Sequence, residues 1–172
     1  ELALRAPDQC WQGPGGPLRT SKELDAGLLW LSEAADALEA SMVVVATSAA
    51  VTTGARDRQR LRDYFARIAA TEGRLVAWKP SGLWEPEAVQ AMARTLSVLG
   101  GIDAIDDSAP DTEVVYATLL AEGLRRSFSH ALLLEVCDKL QAAGASRAYV
   151  TIESPQSFRE ARLLQALSEG RE

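Results

Sequence analysis

The stretch Met42-Val43-Val44-Val45-Ala46-Thr47 decides the fold of this chain. A continuous, largely β-branched run of this length is typical of a strand that is buried on both faces. Strands of that kind occur in parallel sheets, because crossover helices cover both faces of such sheets. The sequence around this run therefore decides between the classes of α/β protein.

Strand and helix patterns alternate on both sides of this run. Further strands are predicted at residues 2–7, 74–79, 102–106, 114–120 and 148–152. Apolar residues at helical spacing predict five helices, whose stripes are Leu24–Leu38, Leu61–Ile68, Val89–Leu99, Leu132–Leu140 and Phe158–Leu167. Six strands in near-strict alternation with five helices predict a parallel sheet, because each helix returns the chain to the same end.

Local signals give the predicted ends of the helices. Ser21 or Thr20 caps the first helix, and Pro86 occupies the first turn of the third. Glycines predict three helix ends, at Gly73, at Gly100-Gly101 and at Gly144. The segment 12–17 (Gln-Gly-Pro-Gly-Gly-Pro) is predicted to be an irregular loop, and it lacks the Gly-Lys-Ser/Thr of a phosphate-binding loop.

Two parallel architectures fit this order of elements. A doubly wound open sheet usually carries a glycine-rich turn after its first strand, which this chain lacks. A closed eight-stranded barrel usually needs about 200–250 residues, and the chain has 172. Periodicity and length leave both open.

Composition limits the function classes. The formal net charge of −6 argues against a nucleic-acid partner, because no basic excess neutralises phosphates. The Arg-rich segment 56–67 contains Asp57 and Asp63, which indicates a solvated helix face. We expect a cytoplasmic protein with no membrane segment, no cofactor and no metal, because long apolar runs, a signal-peptide pattern and clustered Cys or His residues are absent.

The series of strand ends resembles the YecE-like family, also called domain of unknown function 72. The similar segments are 4–7 (Leu-Arg-Ala-Pro), 42–47, 76–80 (Val-Ala-Trp-Lys-Pro) with Trp84, Asp106-Asp107, and 115–118 (Val-Tyr-Ala-Thr). The resemblance extends from Leu2 to Leu167 and starts at the third strand of the family's barrel. It implies a TIM-barrel-like parallel (β/α) repeat of six strands, an incomplete or open barrel, as a single partial domain over residues 1–172.

The resemblance also implies a site at the C-terminal ends of the strands, as in other barrels. The family's Glu and Arg-His positions are here Ala77, Lys79 and Pro80. Its later Tyr, Arg and His are Tyr116, Thr118 and Leu120. The ionisable residues that remain, and that are our ligand-binding candidates, are Arg5, Lys79, Asp106, Asp107 and Glu153. These groups suit a small polar ligand better than proton-transfer chemistry.

Other chemistry-bearing residues have simpler interpretations. His130, the only histidine, is predicted to be a helix-start residue without chemistry. Asp106-Asp107 either binds magnesium or accepts hydrogen bonds from turn backbone, and the second is favoured. The same preference holds for Ser48, Thr52 and Thr53, which form either an anion cradle or a capped polar loop.

The cysteines and tryptophans complete the candidates. Cys137 is predicted to be a core residue, whereas Cys10 stands in a Pro/Gly loop that can expose it. Trp11 and Trp84 also stand in predicted loops. They form either a partner surface or a cover packed over the barrel ends.

Two functional hypotheses result. The first is a degenerate YecE-like barrel that acts as a non-catalytic protein-interaction or scaffold module, with a protein partner or a second copy bound. The alternative is a barrel enzyme of unknown reaction, a hydrolase or a metal-assisted enzyme, with Arg5, Lys79 and Asp106 at its centre. The first is favoured, because the groups that chemistry needs have been replaced at the strand ends.

Overall fold

The computed structural model describes residues 2–68, 73–123 and 127–170. Over these residues the chain is a mixed α/β protein with five α-helices and parallel sheets, which confirms the predicted class. The chain divides into two compact units, Glu1–Gly101 and Ile102–Glu172. The barrel and the single partial domain over residues 1–172 stay predictions.

The first unit is built around one parallel sheet. Its elements are β1 (Ala3–Arg5), β2 (Gln12–Gly13), β3 (Gly16–Pro17), α1 (Lys22–Ala37), β4 (Met42–Thr47), α2 (Ala55–Ile68), β5 (Leu75–Pro80), α3 (Pro86–Leu96) and β6 (Leu99–Gly100). The sheet has the strand order β1-β4-β5-β6 with parallel pairing throughout. The Ser21 hydroxyl accepts a hydrogen bond from Leu24 N, so the predicted cap of α1 is confirmed.

The strand β4 is buried on both faces, as its sequence predicts. Val43 and Val45 belong to the core that the helices cover, and Met42 and Val44, which alternate with them, are equally buried. Each of these side chains contributes roughly 1.5–3 kcal/mol when it leaves water. β4 is therefore the element around which the first unit packs.

Trp78 on β5 is the centre of an aromatic cluster in the same core. Its ring meets Phe65 edge-on at 6.4 Å and Trp84 edge-on at 4.9 Å between ring centroids. Its Nε1 donates to Thr47 Oγ1 at 3.1 Å, so the indole is buried with its polar atom satisfied. This cluster joins β5 to α2 and to the loop before α3.

The second unit is a smaller parallel sheet with two helices. Its elements are β7 (Ile102–Asp103), β8 (Val114–Leu120), α4 (His130–Ala142), β9 (Arg147–Glu153) and α5 (Ser157–Ser168), with the strand order β7-β8-β9. Val115, Ala117 and Leu119 alternate along β8 and pack with Leu133 and Leu164 of the helices.

A buried carboxylate holds the loop before α4 in the second unit. The Glu160 side chain on α5 accepts a hydrogen bond from Phe128 N at 2.6 Å and another from the Ser154 hydroxyl. Glu160 is buried, so these two donors replace the water that it loses.

Three details of the predicted secondary structure are wrong. Residues 12–17 form an antiparallel hairpin, β2-β3, in which Gly16 has a φ of 101° that glycine adopts without strain. The strand predicted at 102–106 ends at Asp103, because Asp103 Oδ1 accepts from Ile105 N at 2.8 Å and folds the chain into a turn. The third helix ends at Leu96 with Ser97 in the left-handed region, and Gly100 belongs to β6.

The other two predicted glycine stops differ in outcome. Gly144, with a φ of 80°, follows the last turn of α4 and confirms the predicted end. The last described residue of α2 is Ile68, and the chain between it and Gly73 lies outside the described residues.

A close backbone approach fixes α1 against the N-terminal segment. A Cβ atom on Gly27 would lie 2.6 Å from Gln9 O and 3.0 Å from Cys10 Cα. The Cys10 thiol donates to Gly27 O at 3.3 Å across the same contact. Only glycine permits the helix to pack this closely.

We expect Gly27→Ala to lower the free energy of unfolding by about 1–3 kcal/mol, because the new methyl group meets backbone that has to move. Helix propensity alone would change the stability in the opposite direction, by about 1 kcal/mol. Urea unfolding measures the difference. The control is Gly15→Ala, whose Cβ would meet the flexible Arg19 side chain at 3.3 Å. A stabilising Gly27→Ala would contradict the close approach.

Candidate functional site

Two of the predicted site residues share one face of the first sheet. Arg5 is the last residue of β1 and stands beside Val44, while Lys79 on β5 stands beside Ala46. Because neighbours in register point to the same side of a sheet, the two basic residues flank β4 on one face. Arg5 is exposed and Lys79 is half-buried.

The three acidic candidates belong to the second unit. Glu153 is the exposed last residue of β9. Asp106 and Asp107 lie in the turn after β7, where Asp107 Oδ2 accepts from Asp103 N at 2.7 Å. Asp103 Oδ1 accepts from Asp106 N at 3.1 Å in the same turn. The favoured interpretation, in which this segment satisfies turn backbone, is confirmed for Asp107.

A lysine side chain holds this turn from α4. Lys139 Nζ donates to the carbonyl oxygens of Ala104 at 2.8 Å, Ile105 at 2.7 Å and Asp107 at 3.2 Å. The ammonium group thus occupies the oxygen-lined centre of the turn. Sequence periodicity placed the helix correctly, but it gave no sign of this contact, which joins residues more than thirty positions apart.

The polar loop before α2 is also satisfied from within. Asp57 Oδ2 accepts from Thr52 N at 2.9 Å and from Thr52 Oγ1 at 2.8 Å, and Arg60 pairs with Asp57 Oδ1 at 2.9 Å. Burial opposes ionisation of Asp57, but these hydrogen bonds and the nearby Arg60 charge lower the pKa of its carboxyl overall. The polar-loop interpretation is supported for Ser48 and Thr52, because Ser48 Oγ accepts from Ala50 N at 3.4 Å and Thr52 Oγ1 accepts from Gly54 N at 3.3 Å.

Both cysteines are buried. Cys137 lies in the core of the second unit, as predicted, and Cys10 is buried although its Pro/Gly loop could have exposed it. Tyr64 donates its hydroxyl to Cys10 O at 2.9 Å, so helix α2 covers the loop that holds Cys10. Burial raises the pKa of the Cys10 thiol to about 11. A thiol of this kind is a poor nucleophile at neutral pH.

His130 is the exposed first residue of α4 after the cap Ser129, which confirms its predicted place at a helix start.

Within the described ranges, no three Cys, His, Asp or Glu side chains are grouped so that they could hold a metal ion. None of the described helices is both long and apolar enough to cross a membrane.

The two tryptophans that form either a partner surface or a packed cover in the sequence analysis are buried. Trp11 is 2% exposed and Trp84 is 8% exposed. Trp84 Nε1 donates to Val51 O at 2.8 Å, and its ring packs on Trp78 with Arg58 over the ring at 5.6 Å. The interpretation of these residues as a partner surface is wrong, because the loops that carry them fold onto the core.

The exposed tryptophan is Trp30, on the outer side of α1. Trp30 is 45% exposed and its neighbour Leu29 is 62% exposed. Ala26 and Ala37 lie on the same side one and two turns away, with Glu33 between them. We call these five residues the α1 surface. Leu24, Leu31 and Ala35 on the opposite side are buried.

The sequence contains a signal for this surface. Apolar residues in α1 fall on two sides of the helix, one centred on Leu31 and the other on Leu29 and Trp30. A helix packed on one core needs one apolar side only. The stripe predicted to end at Leu38 also runs too far, because Leu38 is exposed at the end of the helix.

Other exposed apolar residues stand in different surroundings. Leu83 is 92% exposed in the loop before α3, and Phe158 on α5 is 72% exposed with the Arg162 guanidinium 4.4 Å from its ring centroid. Phe158 was predicted to lie in the apolar stripe of the last helix, which is wrong for this residue. Among the described residues, neither Leu83 nor Phe158 has a second large exposed hydrophobic residue within its own loop or helix.

A cavity of about 150 Å³ lies between α1 and α2. Its lining is mostly apolar, with Ser32 and Arg67 as polar members and Leu28, Leu31, Ala35 and Ile68 among the rest. Cavities that hold drug-sized ligands are about 300–1,000 Å³. This cavity is therefore too small for an extended substrate.

Comparisons with known proteins return no match: no family model matches the chain, and neither does any curated protein. The YecE-like resemblance stays a prediction.

We expect the thiol of Cys10 to titrate only in the unfolded chain between about pH 9 and pH 11, because its pKa is raised from 9.0 to about 11 on folding. The stability that this group contributes is present below pH 9 and is lost as the pH rises to 11. Cys10→Ala removes this dependence, by about 1 kcal/mol at pH 10. Urea unfolding of both proteins at pH 7, 9 and 10 measures it, with pH 7 as the reference. Parallel pH curves would contradict the assignment.

We expect Lys139→Met to lower the free energy of unfolding by roughly 1–3 kcal/mol, because three carbonyl oxygens lose their charged donor. Thermal and urea unfolding measure the change. Lys22→Met is the control, since Lys22 is exposed at the start of α1. Equal stability of the two variants would mean that the ammonium contributes nothing to the turn.

Proposed function

We propose that this chain is a degenerate, YecE-like (β/α) barrel module that binds a partner protein and catalyses no reaction. The binding site in this proposal is the α1 surface. The observation that carries it is the pair Leu29 and Trp30, which stand exposed side by side on a helix whose opposite side already packs on the core.

The chemistry of this pair suits a protein interface. Tryptophan is enriched among the residues that contribute most to binding, because a large flat ring is desolvated with few rotamers to fix. Leu29 and the small residues Ala26 and Ala37 leave room for a second element to lie along the helix. Contiguous exposed apolar groups often mark sites where a protein binds a partner.

The enzyme hypothesis has less support from its own residues. Asp107 is engaged by the backbone of the turn after β7, and Lys139 fills the centre of that turn. The surface of α1 has a direct physical reason to bind, and we therefore favour the interaction module.

A photo-crosslinking side chain in place of Leu29 tests the proposal in extracts of the source cells. We expect a discrete adduct at this position, since Leu29 borders Trp30 on the surface that binds. The matched control carries the same side chain in place of Leu83, which is more exposed but isolated.

The captured protein is then purified and titrated against the intact chain. We expect Trp30→Ala to weaken its Kd at least about tenfold, which corresponds to about 1.4 kcal/mol, and Leu83→Ser to leave the Kd unchanged. Equal adducts at both positions, or a Kd that Trp30→Ala leaves unchanged, would reject the α1 surface as the binding site.

A further inference from the structure

The charged residues of α1 are mostly acidic, although Lys22 lies on the same side as the α1 surface, four residues before Ala26. Over its 16 residues, α1 carries one basic residue, Lys22, and four acidic ones, and Glu39 follows its end. Glu33 lies one turn beyond Leu29 and Trp30, in the middle of the α1 surface. Glu23 lies two turns before Trp30, near the start of the helix.

These carboxylates differ in whether the chain already uses them. Asp25 pairs with Arg67 at 2.5 Å, and Asp36 pairs with Arg74. Glu23, Glu33 and Glu39 are exposed, and within the described residues no hydrogen bond or ion pair engages their side chains. Glu33, four residues after Leu29, is therefore available to an external cation, whereas Asp25, four residues before Leu29, is engaged by Arg67.

We infer that the partner presents an amphipathic helix whose apolar side is flanked by lysine and arginine. This inference rests on the proposed function and names the chemistry of the partner. The apolar side covers Leu29 and Trp30, while the cations reach Glu33 one turn farther along α1 and Glu23 or Glu39 toward the helix ends. An arginine in this position also stacks on the exposed ring of Trp30.

Geometry and charge support this occupant over others. The helix α1 is about 24 Å long, so a partner helix of about four turns lies along all of it. A second copy would bring the same acidic excess of α1, and phosphate groups of nucleic acid or lipid are also anionic, so both would be repelled by the free carboxylates. The basic helix α2 of a second copy is not a suitable occupant either. Its exposed residues are mainly arginines and other polar groups, and they form no broad apolar side.

Three synthetic 18-residue peptides test the inference by calorimetric titration into the intact chain. The first has a leucine stripe flanked by Lys and Arg, the second has the same stripe flanked by Glu, and the third has the composition of the first in scrambled order. We expect the first peptide to bind at least about tenfold more tightly than either of the others. Its affinity should fall severalfold between about 50 and 300 mM salt, because exposed charges are screened.

Variants of the chain locate the site. Glu33→Lys and Trp30→Ala should each weaken the first peptide about tenfold. Glu135→Lys, which changes the net charge equally at an exposed position of α4, should leave its affinity unchanged. Equal affinity for the basic and acidic peptides, or an affinity for the first peptide that Glu33→Lys leaves unchanged, would overturn the inference. A partner captured through Leu29 that contacts α1 with an acidic or uncharged surface would overturn it too, and would leave the proposed function intact.

Discussion

The burial of β4 on both faces is the constraint on which the first unit depends. A strand whose successive side chains are all apolar is stable only where both faces are covered. Val43 and Val45 meet the helices, and Met42 and Val44 are buried on the other face. The parallel neighbours β1 and β5 form hydrogen bonds with the backbone of β4, and the helices that connect these strands, α1 and α2, pack against β4.

The sequence predicted those parts of the fold that local patterns encode. The β4 run, the Ser21 cap, the first-turn Pro86 and the Gly144 stop depend on residues close in the chain, and each is present where expected. The 12–17 hairpin was missed because glycine and proline also mark irregular loops. The break after Asp103 was missed because one side-chain oxygen ends a strand that apolar residues would continue.

The candidate site was harder to predict than the fold. For Trp11 and Trp84 the sequence left a partner surface and a packed cover equally open, because their neighbours indicate only loops, and in the structure both side chains are buried. Their burial depends on contacts such as Trp84 with Val51, which no local pattern encodes. Trp30 was hidden for the opposite reason. It lies in a regular helix whose buried apolar stripe already accounts for the helical periodicity. The second apolar pair, on the outer side, therefore gave no separate prediction.

The packing of Gly27 has a consequence for how tightly α1 can bind. The helix lies close against the N-terminal backbone at Gly27, and the Cys10 thiol donates a hydrogen bond to the Gly27 carbonyl oxygen. From α2, the Tyr64 hydroxyl donates to the carbonyl oxygen of Cys10 in the same N-terminal loop. Contacts of this kind restrict the motion of the helix in the free protein. Association then costs little backbone entropy on this side, and Trp30 needs to fix only two side-chain torsions. The platform is preorganised, so the affinity of a complex would be set mainly by the ordering of the partner.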